Sequence, residues 1–133
     1  MKRFTVESAN RALPLVRRIV EDIVRGYATW QEHVRALEVI AGDLQSAARA
    51  DERIALEKEA ARLAAEVQSF LDELTQLGVE FKGFDVGLVD FPCEMGGRTV
   101  YLCWRLGEAA VSYWHETDAG FAGRQLLSPR AVA

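Results

Sequence analysis

The sequence predicts an α+β fold: a long antiparallel helical hairpin packed with a small C-terminal antiparallel sheet of three to four strands. Three observations predict it. The composition changes near Gly78: residues 1–77 hold 24 charged residues, two glycines and four aromatics, whereas residues 78–133 hold 12, eight and eight. Apolar residues of the first part recur every three or four positions, the period of one helix face. Those of the second part alternate, the period of a half-buried strand. With 133 residues, half of them hydrophobic and 27% charged, the chain suits a single folded domain, 1–133, in which 1–77 is the hairpin and 78–133 a β-meander with a C-terminal loop.

Thr5 is a good N-cap for the first helix, and Phe4 can staple onto Ala9. Pro14 then interrupts, which predicts a short helix to about Leu13 and a long one from Pro14 onward, kinked or stepped. Leu13, Val16, Val20, Ile23, Tyr27, Trp30, Val34, Leu37, Ala41, Leu44 and Ala48 form a seam of alternating three- and four-residue steps. A second seam runs Leu56, Ala60, Leu63, Val67, Phe70, Leu74, Leu77. Asp51 is placed to cap the second helix, and Gly78 to close it at the C′ position with Val79 packing back on Leu74. Between the seams, Ser46 to Asp51 offers the best break. The two helices are then about 50 Å and about 39 Å long at 1.5 Å per residue. Ile19, Val24 and Ile40 widen the first stripe, which therefore needs a third surface: the C-terminal part, a second copy of the chain, or both. A hairpin of that length overhangs a 56-residue sheet, so the expected partner at its far end is another protomer in a homodimer. Tyr27 and Trp30 read most simply as core, or else as the place where the sheet or a second protomer docks.

In the second part, Val79 and Phe81 suggest a short strand. Gly87-Leu88-Val89-Asp90-Phe91 is another, stopped by Pro92. Cys93 to Arg98 is a turn around Gly96-Gly97, Thr99 to Leu106 is the clearest strand, and Val111 to Glu116 returns after Gly107-Glu108. From Asp118 the chain reads as loop with one turn of helix, with Gly120, Gly123 and Pro129 in it. The turn after Leu106 decides what His115 faces. An even count of two or four residues puts His115 and Tyr113 beside Trp104 and Leu102. A count of three moves His115 beside Tyr101, Cys103 and Arg105. Both alternatives fit the residues.

Composition excludes several classes. The formal net charge of −4 disfavours a general nucleic-acid binder. No apolar run approaches about 18 residues, so no membrane span is expected. The N-terminus turns acidic at Glu7 before an apolar stretch develops, unlike a signal peptide, and a cytoplasmic location is expected. Cys93 and Cys103, ten residues apart, read as two reduced, partly buried thiols. No nucleophile elbow, P-loop or dinucleotide fingerprint is present.

Four strings in order, Gly87-Leu88-Val89-Asp90-Phe91-Pro92, Tyr101-Leu102-Cys103-Trp104-Arg105-Leu106-Gly107-Glu108, Tyr113-Trp114-His115-Glu116 and Asp118-Ala119-Gly120-Phe121-Ala122-Gly123-Arg124-Gln125, carry a resemblance. With Phe4-Thr5-Val6-Glu7 and Leu13-Pro14-Leu15-Val16 at the start, they resemble a family of small bacterial proteins known as domain of unknown function 2203, over nearly the whole chain. The resemblance implies no activity, because the family has none established. Two features depart from the family's pattern: there is no Gly-rich linker between the helices, and Leu126 stands where a proline tends to follow the arginine matched by Arg124.

The polar residues of these strings are Asp90, Arg105, Glu108, His115, Glu116, Asp118 and Arg124, set among Trp104, Trp114, Tyr101, Tyr113 and Phe91. Acids, bases and aromatics gathered on a small sheet are what a binding pocket requires. The expected ligand-binding residues are Asp90, Arg105, Glu108, His115, Arg124, Trp104 and Trp114, for a small molecule or an anion. The Gly120–Arg124 loop offers main-chain N–H groups and one guanidinium. The alternative is a divalent metal ion held by His115, Glu116 and Asp90, and catalysis enters only if Asp90 and His115 face one cavity as base and acid. Each residue also has a plainer reading. Asp90 ties up a turn before Pro92, His115 is a hydrogen-bonded ring, Glu108 is solvated, and Arg105 pairs with a carboxylate. His33, three residues after Trp30, reads as a surface or interface residue. The expectation is a non-catalytic binding or interaction module without nucleic-acid or membrane partners.

Overall fold

The computed structural model describes residues 2–128, so the expected loop position of Pro129 lies outside the described residues. Helix α1 spans Val6–Ala41 and α2 spans Ala50–Leu77. Five strands follow, β1 (Glu80–Gly83), β2 (Leu88–Met95), β3 (Arg98–Arg105), β4 (Tyr113–Glu116) and β5 (Gln125–Leu126). They form one antiparallel meander in the order β1-β2-β3-β4-β5. The α+β hairpin-and-sheet architecture is the expected one, with one strand more than the upper expectation. The extra strand is the two-residue β5, too short for an alternating pattern to show.

Helix α1 begins with a reciprocal cap. The Ser8 N–H donates to Thr5 Oγ1 at 3.0 Å and the Thr5 N–H to Ser8 Oγ at 2.9 Å, which satisfies two donors of the first turn. Pro14 does not break the helix, which runs through it for 36 residues, about 54 Å. Leu13 and Val16, on either side of the proline, are both buried, so packing holds the axis where one main-chain hydrogen bond is missing. The seam ends sooner than its spacing suggests. Ala41 closes α1, Leu44 and Ala48 lie exposed in the connection, and Ile40 takes the buried place at the end of the hairpin. The break therefore starts at Gly42 and includes a 3-10 turn at Ser46–Arg49. Arg49, not Asp51, stands at the N-cap of α2, without a side-chain cap, and Asp51 falls in the first turn. There its charge meets the positive end of the helix dipole.

Gly78 ends α2 as expected, at φ +85°. Its N–H and that of Val79 return to the carbonyls of Thr75 and Leu74, both at 3.0 Å. A left-handed residue is what this closure requires.

The wide apolar stripe meets the sheet. Leu13, Val16, Val20 and Ile23 of α1 and Val67 and Leu74 of α2 pack with Val89, Phe91, Cys93, Val100, Leu102 and Trp104 in one core. Tyr27 and Trp30 are half-buried and mark a docking point. Phe84, in the loop between β1 and β2, stacks on Tyr27 at 4.4 Å, and Trp30 lies 5.6 Å from Tyr27. His33 Nδ1 lies 2.9 Å from the Thr29 carbonyl on the helix surface.

Strand β2 continues through Pro92 to Met95 rather than stopping there. Its neighbour β1 begins at Glu80, opposite Asp90, so beyond that point the outer side of β2 has no strand to receive an N–H. The Pro92 carbonyl on that side instead accepts from the Phe4 N–H at 2.7 Å. A proline is tolerated where the ladder has run out. The turn at Gly96-Gly97 has φ of +60° and +79°, the two-residue hairpin geometry that suits the strand twist.

Candidate functional site

Strand alternation sorts the side chains. Val89, Phe91, Leu102, Trp104 and Trp114 belong to the helix-facing layer. Asp90 pairs across strands with Cys103, and Tyr101 with His115, on the opposite face. Seven residues, 106–112, connect β3 to β4. An odd count gives the same parity as a three-residue turn, so His115 lies with Tyr101 and Cys103.

That outer face carries an unusual burial. Asp90 and His115 are 3% and 2% exposed, and they are the only buried polar or charged residues among the described residues. His115 Nε2 lies 2.9 Å from Asp90 Oδ1, and His115 Nδ1 lies 2.7 Å from the Glu116 carbonyl. A carbonyl only accepts, so Nδ1 carries a proton. One further proton lies between Nε2 and Oδ1, either as imidazolium with carboxylate or as imidazole with carboxylic acid, and the pair is neutral in both forms. Burial pushes the Asp90 carboxyl above its ordinary value, while the hydrogen bond and charge of His115 and the charge of Lys82 pull it back.

Cys103 completes the cluster. A ligating atom from each of Asp90, Cys103 and His115 lies within 4.8 Å of the others, and all three residues are buried. Burial, then the neighbouring Asp90 charge, pushes the Cys103 thiol up to about 12. Tyr101 covers one side, its ring centroid 5.5 Å from that of His115, and Lys82 Nζ lies 5.6 Å from the centre of the Tyr101 ring. On the other side Tyr113, opposite Cys103, carries the Arg124 guanidinium at 3.6 Å over its ring, with Phe121 at 4.8 Å. Arg124 pairs with Glu108, and the other Glu108 oxygen accepts from the Arg105 N–H at 2.8 Å. The Arg124 Nε is buried and has no hydrogen-bond partner among the described residues.

The structure thus brings Asp90 and His115 together, with Glu108 and Arg124 as a second pair beside them. It places the other expected residues elsewhere. Trp104 is fully buried in the helix-facing core, its Nε1 donating to the Glu108 carbonyl at 3.0 Å, and Trp114 packs against that same core. Arg105 is exposed at the end of β3, and it enters this network through its main-chain N–H. Glu116 follows His115 and so points to the other face, where Arg98 Nε contacts both its oxygens, at 3.0 and 3.2 Å. Only its carbonyl serves the cluster, so it leaves the expected metal set and Cys103 takes its place. Asp118 is exposed in the following turn. Cys103 and Tyr101 were signalled by the odd-count alternative for the β3–β4 turn; Lys82 carried no signal.

Two surface clefts among the described residues are lined by none of Asp90, Cys103 and His115. One is lined by Tyr27, Trp30, Val67, Leu71 and Phe84, and another by Leu71, Thr75, Glu80, Phe81 and Pro92. What the cluster offers chemically is one imidazole nitrogen, one carboxylate and one thiol at short range, beneath an aromatic and guanidinium cover.

A model of the uncharacterized conserved protein family DUF2203 matches residues 2–127. The chain belongs to this family. The match spans both helices, all five strands and every residue of the outer-face cluster, so the DUF2203 unit and the described structure coincide. No curated protein and no solved structure matches the chain. No helix among the described residues is long and apolar enough to cross a membrane.

Proposed function

We propose that this DUF2203 chain is a non-catalytic binding module that recognises a small polar ligand or ion on the outer face of its sheet. The observation that supports this reading is the placement of Asp90 and His115. The outer face of an antiparallel meander is ordinarily solvated and needs no buried ionisable groups. Here both are buried together, away from the apolar core, and burying such groups is costly unless they are paired. Titratable groups perturbed as Asp90 and Cys103 are concentrate at functional sites. The Arg124 Nε, buried and without a hydrogen-bond partner among the described residues, adds to it.

The test is a titration of isotope-labelled protein with inorganic phosphate, acetate and divalent cations, read at the His115 ring and the Tyr101, Cys103 and Arg124 amides. Shifts confined to these residues, with the Trp104 indole unmoved, are the expected result. Silence of all of them to every probe overturns the reading.

The hairpin supplies the second part of the proposal, self-association into a homodimer. Val39 is 66% exposed and Ile54 43%, and Leu44 is fully exposed. All three lie at the end remote from the sheet, where the core residues of α1 and α2 have given out.

A further inference from the structure

We propose that Asp90, Cys103 and His115 form a binding site for one divalent transition-metal ion of the zinc type. This rests on the reading of the outer face as the recognition surface, and names what is recognised there.

Geometry carries the assignment. The three residues come from three adjacent strands, β2, β3 and β4, and the ladder fixes their relation: Asp90 directly opposite Cys103, His115 opposite Tyr101 and so diagonal to Cys103. Their ligating atoms lie within 4.8 Å of one another. Around a tetrahedral zinc ion, with bonds of about 2.0 Å to nitrogen or oxygen and about 2.3 Å to sulfur, such atoms stand roughly 3.3 to 3.8 Å apart. The cluster reaches those separations if Nε2 and Oδ1 open slightly from 2.9 Å and the sulfur closes in.

The donor set selects the ion. One imidazole nitrogen, one sulfur and one carboxylate oxygen suit zinc, cobalt or a related ion, whereas magnesium and calcium require oxygen shells. The His115 ring is oriented as metal-bound imidazoles are: Nδ1 donates to the Glu116 carbonyl at 2.7 Å, which leaves Nε2 for the cluster. Charge also balances. Thiolate, carboxylate and neutral imidazole around a divalent cation sum to zero, the condition a buried site favours. Binding displaces the Cys103 thiol proton and the proton shared by Asp90 and His115, so two protons leave as one ion enters. A purely structural lock needs only the Asp90–His115 hydrogen bond. Cys103 is a third donor of metal-binding type at the same point, and its thiol also hydrogen-bonds Asp90.

The experiment uses the full chain without a polyhistidine tag, stripped with chelator and titrated with Co²⁺. The expected result is one equivalent bound, with a sulfur-to-cobalt charge-transfer band that Zn²⁺ abolishes by displacement. Cys103→Ser removes the band, and Cys93→Ala, whose sulfur lies in the helix-facing core, keeps it. Asp90→Asn weakens binding by at least about tenfold. Absence of the band in the wild-type chain, or its survival in Cys103→Ser, overturns the proposal. X-ray absorption of the zinc-loaded wild-type chain gives the same answer without any variant: one sulfur among nitrogen and oxygen ligands supports the site, and none or two overturns it. If cations leave the chain unchanged while phosphate or acetate still shifts His115, the ion is wrong and the binding surface stands. If every probe is silent, both fail.

Discussion

At the scale of single residues, the Asp90–His115 pair makes a sharp prediction about where its proton is needed. With Nδ1 committed to the Glu116 carbonyl, the protein must supply a donor or a charge to Nε2. Asp90→Ala removes the partner and leaves a buried ring nitrogen unsatisfied, at a cost of about 1–3 kcal/mol in unfolding free energy. Asp90→Asn keeps the size and offers an amide N–H to a neutral ring, so denaturant titration should show a clearly smaller loss. Equal losses for the two variants mean that the carboxylate charge itself holds the site. Cys103 gives a pH prediction. Its thiol is raised from an ordinary value of 9.0 to about 12, so at high pH the unfolded chain gives up this proton before the folded one does. Stability from this group is intact below about pH 9 and falls between there and 12. In the native protein at neutral pH, alkylating reagents should leave Cys103 untouched until the chain unfolds. Mass spectrometry of reagent-treated native and denatured protein checks this. The sequence marked Asp90 and His115 because charge among aromatics on a strand is conspicuous. It could not choose their companions, because the side His115 faces depends on the parity of a seven-residue connection with no short-turn signature. A one-residue difference there exchanges Cys103 and Tyr101 for Leu102 and Trp104.

At the scale of elements, repetition was legible and exceptions were not. Both helical seams could be read because many residues repeat one spacing, and Thr5 and Gly78 because their end chemistry is local. Pro14 and Pro92 interrupt less than their residue type suggests, for a shared reason. A proline's cost depends on whether its missing N–H had a partner to lose and on what packs beside it, and both are facts of tertiary structure. Leu13 and Val16 are buried on either side of Pro14, and the late start of β1, at Glu80 opposite Asp90, leaves Pro92 without a ladder to interrupt on that side. The hairpin turn was misplaced because Leu44 and Ala48 continue the seam's spacing after the helix has ended. Gly78 provides the test at this scale. Alanine there must hold φ near +85°, and its Cβ would stand 2.8 Å from Lys2 Cβ. Gly97 has φ +79° with nothing within 4 Å of a Cβ. Gly97→Ala should then lose only the backbone term, about 1–2 kcal/mol, and Gly78→Ala more than that. Urea midpoints at unchanged m-value measure both, and the difference between them reports the N-terminal segment resting on the end of α2.

At the scale of the whole molecule, the lengths do not match. Helix α1 runs 36 residues, about 54 Å, while the longest strands have eight residues and span about 27 Å. The core shared with the sheet reaches only Ile23 on α1 and starts at Val67 on α2. Beyond the Tyr27–Phe84 stack the two helices pack on each other through residues such as Ile40, Ala60 and Leu63, which are buried. Val39, Leu44 and Ile54 are exposed toward this tip, and the proposed homodimer would set the same residues of both partners across a two-fold axis. Light scattering should return twice the mass of one chain. Val39→Lys, Leu44→Lys and Ile54→Lys together place three positive charges on each side of that contact. The triple variant should elute as a monomer with an unchanged circular dichroism spectrum, because exposed substitutions disturb the fold by only about 0.5 kcal/mol each. A wild-type chain of single mass removes the dimer. A variant that stays dimeric moves the contact away from the tip, and the half-buried aromatic cleft of Tyr27, Trp30 and Phe84 is then the next surface to substitute.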